Sequence, residues 1–237
     1  ALLIENDSEY VIKDNLLFYI NLKYSLADNF DDLRFPPVDT YPAQVRSDVK
    51  QYLKNMDNGL ILGRAQVDYY LTPYENHHLM FSGGVLEDMF SGYGLEYLYH
   101  KNNTNYSIGF ELFNVKKRDY EWGFGTLDYQ NVTGHINFNY RNYGSIPFDM
   151  KISYGEYLAG DIGTTIELSR TFNNGMNFGV FASNTNVSAE QFGEGTFDKG
   201  IFFNIPIYGN LINYSWRPLT KDPGAKLIRR NTLHSLL

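Results

Sequence analysis

Cysteine is absent from the 237 residues. Disulfides, thiolate catalysis and cysteine-bound zinc are thereby excluded, although this leaves the compartment undecided. No run approaches the ~18 consecutive apolar residues that a transmembrane helix requires. Surplus basic charge is also missing. The formal net charge is -7, and an acidic chain lacks the basic footprint of nucleic-acid binding. No secretory leader is visible ahead of Ala1, so the sequence is expected to be processed, or a piece of something longer.

Aromatic residues, by contrast, are plentiful: 16% of the chain, with 20 Tyr and 17 Phe. Aromatics favour strands, and they crowd the two interfaces of a membrane barrel. A mean hydropathy of -0.37 would suit a soluble chain. That inference fails for barrels, because half of each strand faces a polar interior. The length suits a single all-β domain over residues 1–237.

The dominant pattern has period two. Val132, Gly134, Ile136, Phe138 and Tyr140 fall on one face, and Thr133, His135, Asn137, Asn139 and Arg141 on the other. Similar alternation marks residues 16–24, 63–71, 93–100, 106–112, 148–154, 162–169, 176–183, 201–207 and 212–217. Turn residues separate the runs at Asn102-Asn103, Gln130-Asn131, Asn142-Tyr143-Gly144, Asn173-Asn174-Gly175, Gly209-Asn210 and Pro223-Gly224. The pattern predicts an antiparallel transmembrane β-barrel of about 12 strands. Residues 26–59 break it with Pro36, Pro37 and Pro42. There we expect a long loop with one helical piece, capped by Ser47 and carrying Val49 and Leu53 as an apolar pair. That piece lies outside the barrel or folds into its mouth.

Alternation alone does not say what the apolar face touches, and a soluble sandwich or lipocalin-like barrel would share it. Two features favour lipid. The polar face carries Arg64, Asp68, Glu96, Glu111, His135, Arg141, Lys151, Glu167 and Arg217. The apolar face repeatedly ends in Tyr, Phe or Trp, as an interface girdle would. Those nine polar residues are the candidates for lining an enclosed lumen.

Chemistry is sparse. His135, Arg141, Glu111 and Glu167 could form a catalytic cluster, but no nucleophile oriented by a base is legible. An interior salt-bridge network is the expected arrangement, with no catalytic role. Neither a metal nor a cofactor is expected. His77 and His78 are adjacent on a strand and point to opposite faces, so they cannot chelate together. Asp161 reads as a turn residue bonding its own backbone. Gly123, Gly125, Gly134, Gly155, Gly163 and Gly179 read as points of curvature, in preference to room for a ligand. The basic stretch from Lys221 to Arg230 reads as a solvated turn, with contact to acidic polysaccharide or lipid phosphate as the alternative.

Five blocks carry a family resemblance: Val45 to Leu53, Phe81 to Tyr99, Tyr157 to Gly163, Asn184 to Gly200, and Trp216 to Leu227. In this order they resemble the YjbH/GfcD family of exopolysaccharide (capsule)-associated outer-membrane β-barrel proteins. Members are longer, so the resemblance implies a C-terminal part. It departs from outer-membrane barrels in general at Leu236-Leu237, where a terminal aromatic is common. The resemblance implies a location in the bacterial outer membrane and a part in export or assembly of an extracellular polysaccharide. The implied partners are outer-membrane lipid and lipopolysaccharide, other polysaccharide-export proteins or an N-terminal barrel region missing from this chain, and the polysaccharide itself. A scaffold barrel that anchors partner proteins is the rival function, and a barrel enzyme acting on lipid or glycan the third.

Overall fold

The computed structural model describes residues 2–32, 45, 46, 48–188, 197–208, 212–218 and 224–236. Twelve strands follow one another: β1 (Leu2–Lys13), β2 (Leu16–Ala27), β3 (Leu60–Tyr74), β4 (His77–Val85), β5 (Phe90–Tyr99), β6 (Tyr106–Arg118), β7 (Thr126–Asn142), β8 (Phe148–Glu156), β9 (Ile162–Thr171), β10 (Asn177–Thr185), β11 (Asp198–Tyr208) and β12 (Ile212–Trp216). Each pairs antiparallel with its successor in one twelve-stranded sheet. The all-β antiparallel class and the strand number agree with the alternation. Among the described residues no ladder joins β12 to β1. No helix is long and apolar enough to cross a membrane, which says nothing of crossing by strands.

Register explains the alternation. Tyr140, Met150, Leu168, Val180 and Ile201 are direct cross-strand neighbours, one from each of β7 to β11. They form an apolar row on the outer face. Ser107, Asn139, Lys151, Glu167 and Phe181 form the corresponding row on the inner face of β6 to β10. The burial contrast is inverted relative to a protein with a dry centre: Ile136 is 62% exposed, while its neighbour His135 is 4% exposed. Thr133, Asn137, Asn139, Ser153, Thr165 and Ser183 are buried inward as well.

The expected turn at Gln130-Asn131 does not occur. Both residues lie within β7, paired with Lys116 and Val115. Asn131 also donates its amide to the carbonyls of Tyr157 and Leu158 at 3.0 and 3.2 Å. The reversal falls earlier, around Trp122, which takes a positive φ of 59°. The Gly209-Asn210 turn, Ser47, Pro36, Pro37, Pro42 and Pro223 lie outside the described residues.

The helical piece is α1 (Val49–Lys54), and it packs against the inner face of the sheet. Tyr52 is buried against Trp122, with ring centroids 5.5 Å apart and the indole N–H donating to the Tyr52 carbonyl at 2.9 Å. Phe90, Phe113, Val115 and Leu86 join this cluster from the inner face of β5 and β6 and the loop before β5. Arg118 ties the same rim together. Its guanidinium donates to the carbonyls of Glu87, Asp88, Leu62 and Gly123.

Close strand approach accounts for two of the glycines. A Cβ at Gly155 would lie 2.0 Å from the Gly134 carbonyl oxygen, and one at Gly163 would lie 2.1 Å from that of Asn184. Gly179 differs, because it faces Phe202 across β10 and β11 and a Cβ there would meet that ring at 2.2 Å. Gly179→Ala should therefore cost about 1–3 kcal/mol through forced displacement of the ring. Thermal melts check this: in a Phe202→Ala background the same change should cost nothing further.

Candidate functional site

Glu96 and Glu111 are directly opposite in the β5–β6 ladder. Like charges placed so repel, and both side chains are largely buried. The chain resolves this with Arg229, from the segment that follows β12. Its guanidinium lies 2.6 Å from Glu96 and 2.8 Å from Glu111, over the ring of Phe113 at 4.6 Å. His135 Nδ1 is 3.2 Å from the other oxygen of Glu111 and packs edge-on to Tyr157 at 4.7 Å.

The rest of residues 224–236 runs along the interior from one rim to the other. At the rim holding α1, the Gly224 N–H donates to Asp161 at 2.8 Å, and the Leu158 N–H donates to the Ala225 carbonyl at 3.0 Å. Next, the Ile228 N–H donates to Glu87 at 2.6 Å, a carboxylate already held by Arg46. Arg230 reaches Asp7 of β1 at 3.1 Å, and the Asn231 amide donates to the Tyr19 hydroxyl of β2 at 3.0 Å. The Leu233 N–H donates to Glu96 at 3.1 Å, with its side chain against Met80 and Leu98. His234 Nδ1 lies 3.1 Å from the Ser107 hydroxyl of β6. One extended segment touches strands from β1 to β6 and the β8–β9 turn, so the sheet curls around it.

These contacts correct two expectations. The basic stretch is not a solvated turn at Arg229, whose side chain is 6% exposed; Lys221 lies outside the described residues. Asp161 is a buried acid tied to the tail, more than a turn residue satisfied by its own backbone. Burial raises its pKa, against the lowering effect of the Gly224 N–H.

The other candidates divide into local groups. Arg64 donates to Gln66 at 3.0 Å, and Gln66 donates to Asp68 at 2.7 Å. Arg217 lies 2.7 Å from Glu167 and stacks over Phe202 at 4.5 Å. Arg141 pairs with Asp149 in an exposed position, which makes that pair worth under about 1 kcal/mol. Lys151 shares the inner face with Glu167. Glu96, Glu111 and His135 are thus brought together, while Arg141 and Arg64 stand near opposite rims. His77 bonds the Tyr97 hydroxyl at 2.7 Å and His78 lies near Thr72. Among the described residues no acidic or histidine cluster fits a metal ion.

Two clefts lie against the inner face of the described residues. One of about 370 Å³ adjoins α1 and mixes Glu5, Asp7 and Asp88 with Lys23, Arg64 and Arg230. The other, about 490 Å³, lies at the opposite rim between the tail end and β6 to β9. The Lys226 ammonium lies over the Tyr157 ring, 5.9 Å from its centroid.

An antiparallel meander with an apolar outer face and a polar, ion-paired inner face that packs on residues 224–236 defines an all-β protein built on one twelve-stranded sheet. A family model described as exopolysaccharide biosynthesis protein YbjH matches residues 1–237, and the chain belongs to this YjbH family. It is 32% identical over 237 residues to the uncharacterized lipoprotein YjbH of Escherichia coli (strain K12), an alignment covering 95% of this chain and 34% of that protein. The chain therefore spans about a third of the length of the curated relative it matches. No solved structure matches.

Proposed function

We propose that this chain is a membrane-spanning barrel segment of an outer-membrane protein that takes part in export or assembly of an exopolysaccharide. The observation that carries this reading is the apolar outer face of β7 to β11, where Ile136, Leu168, Val180 and Ile201 are exposed, set against an inner face that buries Asn137, Asn139, Ser153 and Thr165. Water gives no reason to turn Ile136 outward and Asn137 inward, whereas lipid does. Membership of an exopolysaccharide biosynthesis family supports the polymer, and the relative's description as a lipoprotein supports attachment to a membrane.

The interior favours a particular form of this role. Among the described residues, α1 and residues 224–236 both pack against the inner face and fill much of the space beside β1 to β6. That favours a membrane anchor for partner export proteins, with any polymer path formed elsewhere or upon movement of the tail. No catalytic residue is assigned.

Envelope fractionation tests the location. The full-length protein should sediment with the outer membrane and run faster on a gel unboiled than boiled. Recovery with the inner membrane, or in the soluble fraction, would overturn it. Loss of the gene should reduce polymer in the medium.

A further inference from the structure

Most carboxylates and guanidinium groups of the interior neutralise each other locally. Glu96 and Glu111 share Arg229, Glu87 takes Arg46, and Asp149 takes Arg141. Lys151 is different. In the ladders it stands directly opposite Glu167 on one side and Asn139 on the other, so proximity alone would pair it with Glu167. Glu167 is instead engaged by Arg217 at 2.7 Å. Among the described residues Lys151 makes no ion pair or hydrogen bond. Lys151 is thus left uncommitted beside the Glu167–Arg217 pair.

Lys151 also lines the 490 Å³ cleft, whose other walls include Asn105, Ser169 and Phe202. Two carboxylates also line it, but Asp149 is paired with Arg141 and Glu167 with Arg217, and Tyr143 stands with Phe202 among its aromatic walls. With those acids neutralised, amide and hydroxyl groups, aromatic rings and the uncommitted Lys151 are the elements of a site for a polyhydroxylated anion. A lysine ammonium is a compact point charge suited to a carboxylate or a phosphate oxygen. The hydroxyl and amide walls point to a sugar bearing the carboxylate.

We infer that this cleft binds an acidic saccharide, with Lys151 holding the carboxylate, Asn105 and Ser169 taking ring hydroxyls, and Phe202 facing the apolar side of the sugar. The inference deepens the proposed export role and rests on it for the source of the ligand.

The test is calorimetric titration of the full-length protein in detergent micelles with an oligogalacturonate, a neutral maltooligosaccharide and inorganic phosphate. The acidic oligomer should bind and the neutral one should not. Lys151→Gln should weaken binding about tenfold or more, and Lys151→Arg should retain it. Equal binding of the neutral oligomer would overturn the inference, as would unchanged affinity in a Lys151→Gln protein that melts like the wild type. Phosphate that displaces the oligomer at equal concentration would reduce the cleft to a general anion site and overturn sugar recognition. Polymer secretion separates the two readings. If secretion needs the protein but the oligomer ignores Lys151, the cleft assignment falls alone. If the oligomer binds through Lys151 but secretion does not need the protein, the export role falls alone.

Discussion

Arg229→Met is expected to destabilise the protein by about 3–5 kcal/mol, the usual cost of removing one partner from a buried ion cluster. The arginine side chain is 6% exposed, and those of its partners Glu96 and Glu111 are 7% and 15% exposed. Without it, two carboxylates stay face to face across β5 and β6, cut off from most of the solvent. The tail also loses the contact that fixes its middle, so the Leu233 N–H to Glu96 bond should weaken with it. Thermal unfolding of the purified protein, followed by loss of its unboiled gel mobility, measures the effect. Adding Glu96→Gln and Glu111→Gln should restore most of the loss, because neutral amides remove the repulsion. A loss under about 1 kcal/mol, the scale of a surface pair, would mean that Arg229 does not sit between these strands.

Ile136→Lys should cost about 2–4 kcal/mol in a bilayer, the penalty for lysine on the lipid face near the midplane. Ile136 stands in the middle of β7, between Phe110 of β6 and Tyr154 of β8. In water the same exposed position would tolerate lysine within about 0.5 kcal/mol. The substitution therefore distinguishes lipid from solvent at this face. Urea titration of protein folded into phospholipid vesicles is the measurement, with Ile136→Leu as the neutral control. A lysine variant as stable as that control would place the outer face in water.

Strands with one wet and one apolar side were legible in the sequence, and β7 is the clearest, since each of its inner residues from 133 to 139 is polar at every second position. β1 was not legible. Its Leu2, Leu3 and Ile4 are consecutive and its centre is acidic, because it is exposed along almost its whole length and neither face imposes a period. In β4, Leu79, Met80 and Phe81 run together because Met80 packs inward on Leu98 and Leu233 of the tail. An apolar residue facing inward there makes sense only once the tail is in place. Gln130 and Asn131 have turn chemistry, yet both ladder partners and the Tyr157 and Leu158 carbonyls hold them in a strand. Local preference lost to tertiary hydrogen bonding.

The candidate site divides along the same line. Glu96, Glu111 and His135 were legible as inward polar residues because each sits opposite an apolar face within its own strand. Arg229 was not, since its partner Glu111 lies 118 residues away, and nothing in a basic stretch tells a solvated turn from a strap through an interior.

By itself the sequence determined which side of each regular strand is apolar, because side chains alternate with period two whatever the neighbours are. It also determined that no thiol chemistry or apolar helix contributes. Only the tertiary structure decided what fills the interior: the register that sets Glu96 against Glu111, and the tail that enters to neutralise them. Such contacts join residues far apart in the chain, and their energy exists only when both are withdrawn from water together.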